Sequence, residues 1–258
     1  MNRRNTLKTR LKAGETIAAA WLDLGSAEVA EVLVHTGWDV VIVDCEHGPA
    51  TVEDAVSLIR AIEAAGGQAV LRVPEGADTV LKRVLDKGAH SLMVPMVQDA
   101  AAARRITASC LYPPHGQRGY AAPILRASHY GAVSDYATAN ARDELLLMMQ
   151  IEHIDAIEAI PDMARVPGVD MIFIGPNDLA ASMGHLENMG HPEVRNAIAR
   201  AEALARDAGV MLGTVLWADH DYRSLRAAGY QFIAGACDVA MLAQSARAAR
   251  ESVREMLA

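Results

Sequence analysis

Four short segments of this chain bring together residue types that do chemistry. They are Asp44-Cys45-Glu46-His47-Gly48-Pro49, Arg72 within Val70-Leu71-Arg72-Val73-Pro74, Gln150-Ile151-Glu152-His153, and Gly175-Pro176-Asn177-Asp178. Each lies at the end of a short apolar run. Glu152 and Asp178 end consecutive runs, and two carboxylates with coordination positions to spare suit a hard divalent cation such as Mg2+ or Mn2+. The open positions on such an ion accept water and a chelating substrate. The competing reading is a pair of salt-bridged loop carboxylates, and spacing alone leaves both standing. His47 is a candidate general base, because imidazoles exchange protons near neutral pH; the plainer reading is a loop histidine bonded to a backbone carbonyl. Arg72 closes an apolar strand, where a guanidinium without an anion is costly to bury, so it reads as a functional group. Asp86, on the helical stretch that follows, is a candidate to orient His47; a solvated helix carboxylate is the alternative.

These groups need elements to position them. Strand-like runs occupy residues 16–23, 40–44, 69–73, 91–96, 145–152, 171–175, 211–216 and 231–234. Helical patterns lie between and after them, at 26–35, 52–65, 78–87, 99–109, 154–166, 192–208, 220–228 and 239–256. Strands of near-continuous Val, Ile, Leu and Met are buried on both faces, which marks a parallel sheet covered by helices. Eight such units in 258 residues fit a single α/β domain spanning the chain, a (β/α)8 TIM barrel, which needs roughly 250 residues. Barrel active sites sit at the C-terminal ends of strands, and all four chemical segments fall there. Ala65-Gly66 and Ala228-Gly229 place glycine where a helix ends in a left-handed residue. One connection, residues 111–140, is too long for a plain barrel loop and reads as a lid, an interface element or an active-site wall.

Composition narrows the function classes. The formal charge is −8, which argues against the basic face of a nucleic-acid binder. No run of about 18 apolar residues predicts a membrane span, and residues 1–11 lack the apolar core of a secretory signal. Cys45, Cys110 and Cys237 are odd in number and far apart, so no disulfide framework is expected and a reducing cytoplasm is the simplest home. No Gly-rich nucleotide loop is present. None of the four lysines, Lys8, Lys12, Lys82 and Lys87, ends a strand-like run, which disfavours a Schiff-base mechanism.

The segments Val43–Pro49, Leu71-Arg72-Val73-Pro74, Met149-Gln150-Ile151-Glu152 and Phe173–Gly184 resemble the HpcH/HpaI family of class II pyruvate aldolases. The likeness runs through nearly the whole chain, with Gln117-Arg118-Gly119 matching the family's long loop. The resemblance implies a (β/α)8 enzyme in which Glu152 and Asp178 bind a divalent metal (Mg2+, Mn2+ or Co2+). It further implies that Gln150, Gly175 and the backbone at Asn177 and Asp178 hold a 2-oxo acid. His47 would act as base with Asp86 behind it, and Arg72 would stabilise the enolate or alkoxide. It also implies small 2-oxo acid and aldehyde substrates, and a homo-oligomer, a hexamer favoured, with the C-terminal helix exchanged between subunits. Asn177 stands where some relatives have alanine, and the 120–130 segment is the least familiar stretch. The rival readings are a decarboxylase of oxaloacetate-like acids, an acyl-CoA lyase on the same barrel, and a non-catalytic binding barrel.

Overall fold

The computed structural model describes residues 3–258; Met1 and Asn2, which begin the basic N-terminal stretch, lie outside the described residues. Eight strands pair in parallel with their sequence neighbours, and the last closes on the first. They are β1 (Ile17–Leu22), β2 (Val40–Asp44), β3 (Gln68–Arg72), β4 (Ser91–Val94), β5 (Leu146–Ile151), β6 (Met171–Ile174), β7 (Met211–Val215) and β8 (Phe232–Cys237). The result is the (β/α)8 barrel that the apolar runs predict.

The N-terminal helix α1 (Thr6–Lys12) precedes β1. Around the barrel run α2 (Ala27–His35), α3 (Ala55–Ala64), α4 (Asp78–Asp86) and α5 (Ala100–Cys110). The short turn α6 (Ala141–Asp143) leads into β5, and α7 (Ile160–Ala164) follows it. After β6 come α8 (Pro176–Ser182) and α9 (Pro192–Asp207), then α10 (Tyr222–Ala228) and α11 (Asp238–Leu257). Side-chain caps start several of them: Ser26 accepts from Val29 N, Asp99 from Ala102 N, and Asp221 and Ser224 form a capping box. Gly229 ends α10 at φ +100°, as its place in the sequence predicts.

Strand alternation divides the core in two. Val41 and Val43 of β2 pack outward against the helices, whereas Val40 and Ile42 pack inside the barrel. The inner cluster also holds Val70, Met93, Leu146, Met148, Met171, Phe173 and Phe232. With few aromatics, the interior is filled mainly by Val, Leu, Ile and Met, apart from Trp21 and the edge-to-face pair Phe173–Phe232 at 6.2 Å.

Besides the short turn α6, two helices are not among those expected. The first, α1, plugs the end where the strands begin: Leu7 and Leu11 are fully buried in the inner cluster. Asn5 caps it and ties it down, its amide donating to His90 O at 2.8 Å and Ser91 Oγ at 2.9 Å. Lys8 pairs with Asp170 at 3.0 Å. The second, α8, starts at the mouth of β6, in a stretch that reads as loop. The helix expected over 154–166 is instead a 3-10 segment, Ile154–Ala159, followed by α7. Pro161, which cannot donate an i−4 hydrogen bond, fits only in the first turn of a new helix.

The long 111–140 connection lies against the same end of the barrel as α1. Arg126 reaches Lys87 O and Glu63, and Asn140 donates to Arg3 O. It holds a small cluster of its own, Tyr112, Ala122, Ala127, Val133 and Tyr136. Within one chain it is therefore not a wall of the strand C-terminal mouth; Tyr120, Ile124 and Tyr130 on it are exposed. Among the described residues no helix is long and apolar enough to cross a membrane.

The plug predicts a separation of stability from chemistry. Leu7→Ala should cost about 2–5 kcal/mol in urea unfolding, as other buried Leu truncations do. The KM for substrate should stay unchanged, because Leu7 lies a barrel length from the mouth.

Candidate active site

Strand alternation also aims the functional side chains. Asp44 is two residues beyond Ile42, Arg72 two beyond Val70, and Gln150 and Glu152 continue the inward series of Met148. Asp44 and Arg72 are register partners across β2 and β3. Their side chains form a bidentate pair, Nε to Oδ1 at 2.8 Å and Nη2 to Oδ2 at 2.6 Å. Asp44 Oδ1 also accepts from the Glu46 N–H at 3.0 Å and the His47 N–H at 3.3 Å, so it fixes both the arginine and the turn carrying the histidine. Burial disfavours the charged form of Asp44, but Arg72 and those two N–H groups overcome it and hold the carboxyl below its usual range. The guanidinium also lies 4.4 Å over the Trp21 ring. Its remaining Nη1 stands 3.3 Å from Glu46 Oε2.

Glu152 faces this group from β5. It is buried, with Oε1 accepting from Met96 N at 2.7 Å and Oε2 from the Gln150 amide. Burial raises its pKa to about 7; Met96 and Gln150 pull it down, whereas the nearby carboxylates of Glu46 and Asp178 push it up. Gln150 Oε1 is buried without a protein partner. Gly175, at the end of β6, lets the backbone approach these atoms closely: a methyl there would stand 2.7 Å from Glu152 Oε2 and 3.3 Å from Gln150 Nε2, too near to fit without a shift. An all-oxygen donor set, a carboxylate that resists ionising alone and a cradle beside it fit a divalent cation held by Glu152 and Asp178.

The sequence-predicted residues fall into two groups. Arg72, Gln150, Glu152 and Gly175 meet at the mouth, with Asn177 and Asp178 in the exposed first turn of α8 and His47 exposed on the turn after β2. Asp86 does not join them. Helix α4 returns toward the start of β4, so its last residue lies at the plugged end, where Asp86 pairs with Arg118 at 2.7 Å. Within one chain it cannot orient His47. Sequence reasoning missed the roles of Asp44 and Trp21 and the Met96 N–H. The period-two pattern of β2 would have revealed Asp44, because Val40, Ile42 and Asp44 share one face.

A barrel with this mouth is built as a (β/α)8 lyase, and comparison with known proteins gives the same class. The family model described as HpcH/HpaI aldolase/citrate lyase matches residues 18–245. A hydroxypyruvate/pyruvate aldolase of Paraburkholderia phytofirmans is 40% identical over 257 residues, covering 97% of this chain and 98% of that one. A 2-keto-3-deoxy-L-rhamnonate aldolase of Escherichia coli is 36% identical, covering 91% and 87%. A crystal structure of an HpcH/HpaI aldolase/citrate lyase family protein from Burkholderia cenocepacia superposes with a TM-score of 0.90 at 37% identity, covering 97% and 99%. The chain belongs to the HpcH/HpaI aldolase/citrate lyase family and is a carbon–carbon lyase of the class II aldolase type.

The position of Glu152 has a pH signature. Its folded pKa, about 7, lies above the ordinary 4.5, so folding favours the protonated form. That contribution is complete below pH 4.5 and lost as pH rises through about 7. It amounts to an order of 3 kcal/mol in the metal-free protein. Melting temperature against pH in chelator should therefore fall more steeply for the native chain than for Glu152→Gln. Saturating Mg2+ should flatten the native curve. Parallel curves for native and variant would mean that Glu152 ionises in the folded state as it does in water.

Proposed function

We propose that the enzyme catalyses reversible aldol addition of a pyruvate-type donor, pyruvate or hydroxypyruvate, to an aldehyde, and the retro-aldol cleavage of 4-hydroxy-2-oxo acids. The observation that carries this reading is the pairing of a buried, hard-to-ionise Glu152 with a fixed guanidinium, Arg72, across one barrel mouth. Relatives named as hydroxypyruvate/pyruvate and 2-keto-3-deoxy-L-rhamnonate aldolases support the donor class. Divalent-metal dependence is general in the family, and a bound ion supplies Lewis-acid polarisation of the donor's keto group.

In this reading Glu152 and Asp178 hold the ion, and Mg2+, Mn2+ and Co2+ all suit their oxygens. The donor's carboxylate rests on the N–H groups of Asn177 and Asp178, which the first turn of α8 leaves without i−4 partners. Gln150 and the backbone at Gly175, which carries no side chain to intrude, position the rest of the 2-oxo acid. His47, on the exposed turn, moves protons between the donor's methyl carbon, or the aldehyde oxygen, and solvent. Arg72 stabilises the negative oxygen that develops during carbon–carbon bond formation; its orientation by Asp44 means that little reorganisation is needed. Asp86 has no part within one chain. Oxaloacetate decarboxylation needs the same polarised keto group and is an expected side activity. We further propose a cytoplasmic homo-oligomer, a hexamer by family likeness. Val239, Leu242, Val253, Met256 and Leu257 along α11 are exposed, which suits exchange of this helix between subunits.

Two experiments test the chemistry. Chelator should abolish activity with pyruvate and an aldehyde, and Mg2+, Mn2+ or Co2+ should restore it. Borohydride with pyruvate should leave every lysine unmodified; a trapped adduct together with full activity in chelator would place the chain among Schiff-base aldolases. Separately, His47→Ala should slow exchange of the methyl protons of pyruvate by about 10²–10⁴-fold, the usual range for loss of a general base. Arg72→Lys keeps the charge but cannot reproduce the fork on Asp44, so turnover should drop with a smaller change in metal affinity. Native-like exchange in the first variant would remove His47 from proton transfer, and native-like turnover in the second would make Arg72 structural.

A further inference from the structure

Beyond the mouth, a second group of donors sits on the rim between α8 and α9. The imidazoles of His185 and His191 stack with centroids 3.6 Å apart and planes 18° from parallel. Nε2 of His185 lies 2.9 Å from Glu193 Oε2. One nitrogen of each ring and a Glu193 oxygen all lie within 4.8 Å of one another. We propose that His185, His191 and Glu193 form a second metal site, one that takes a borderline divalent transition ion such as Zn2+, Ni2+ or Cu2+.

The donor types set that preference. The mouth offers only oxygen, which hard ions accept, whereas two imidazoles and a carboxylate are the donor set of three-ligand zinc sites with a position left for water. The backbone that carries the donors is held in advance. The His185 N–H bonds to Ala180 O at 2.8 Å, Asn188 N to His185 O at 3.0 Å and His191 N to Asn188 O at 3.1 Å, which folds the loop on itself. Pro192 follows in the first turn of α9. The His185–Glu193 contact is already the arrangement an ion would occupy, with a proton in its place. A tautomer shift moves that proton to Nδ1 of His185, freeing Nε2 as a ligand. Because His191 Nδ1 accepts from the Glu193 N–H at 3.3 Å, its Nε2 is the nitrogen left for an ion, and a rotation of the His185 ring then brings both Nε2 atoms onto it. The neighbouring cation, Arg195, is engaged by Asp219 at 2.5 Å and by Gly190 O at 3.1 Å, so its charge is already compensated. An ion here would tie the end of α8, the helix that carries Asp178, to the start of α9. The proposal stands independently of the aldolase reading.

The test uses tag-free protein dialysed in excess Mg2+ against a low free concentration of Zn2+. Zn2+ outranks Mg2+ for both sites, so the comparison is between variants rather than between metals. The native chain should retain one more Zn2+ than the double variant His185→Ala/His191→Asn. His191 caps α9, its Nδ1 accepting from the Glu193 N–H at 3.3 Å, and asparagine keeps an acceptor there, so folding is preserved; Glu193→Gln, which leaves both imidazoles, serves as a second variant with weakened retention. Cu2+ bound to the native chain should show nitrogen hyperfine splitting from two imidazoles, lost in the double variant. Mg2+-supported activity should be the same in all three proteins. Equal Zn2+ counts in native and double variant, or a Cu2+ spectrum unchanged by the substitutions, would overturn the site.

Discussion

The guanidinium of Arg72 lies where the apolar interior of the barrel gives way to its mouth, and a charge at that depth is tolerable only with a fixed counter-charge. Asp44 supplies one from the adjacent strand, in register, through two parallel hydrogen bonds. Breaking such a buried pair by removing one partner leaves the other uncompensated, which typically costs about 3–5 kcal/mol. The pair does more than neutralise itself. By accepting from the Glu46 and His47 N–H groups, Asp44 sets the turn that carries the candidate base. By occupying Nε and Nη2, it leaves Nη1 facing Glu46, and the field of Arg72 extends to Glu152. One carboxylate thus orients an arginine, a turn and, through the arginine, the charge balance of the mouth.

The rest of the barrel creates the conditions under which that balance matters. Its far end is closed by α1, with Leu7 and Leu11 filling the space between the first residues of the strands. Phe173, Phe232 and the methionines fill the middle. With the far end filled, Glu152 is dry enough for burial to dominate its proton affinity. The same dryness strengthens every charge interaction with a bound substrate. Packing at one end and chemistry at the other are linked through the dielectric they share.

Much of this was legible in the sequence, and what escaped has a geometric reason. The eight strands are readable because parallel strands buried on both faces appear as unbroken Val, Ile, Leu and Met runs. Arg72, Gln150, Glu152 and Asp178 are readable because barrels display chemistry at strand ends. Asp44 was hidden in plain view, since a strand-end motif shows which residues are polar but not which face they take. Within one chain Asp86 lies apart from His47 because a helix of nine residues carries its last side chain back along the barrel, away from the mouth where the preceding loop began. The long connection is anchored far from the mouth for the same reason: Glu63, Asp86 and Lys87, which hold it, all lie at the plugged end, which within one chain leaves the interface reading rather than the active-site wall. Helices α1 and α8 are too short, at seven residues each, for an apolar period to declare itself.

Gly175 gives the mouth a dimension that no side chain supplies. The gap beside Glu152 Oε2 is too narrow for one more carbon, because the position where that carbon would sit is 2.7 Å from the oxygen. The aperture between β5 and β6 is therefore written in the backbone, where it cannot relax by changing a rotamer. Any lineage that drifts to a larger residue at 175 must move the Glu152 carboxylate, and with it the Met96 and Gln150 contacts that hold it. The missing methyl group acts as a gauge, and it constrains the future of the fold as firmly as any charged residue around it.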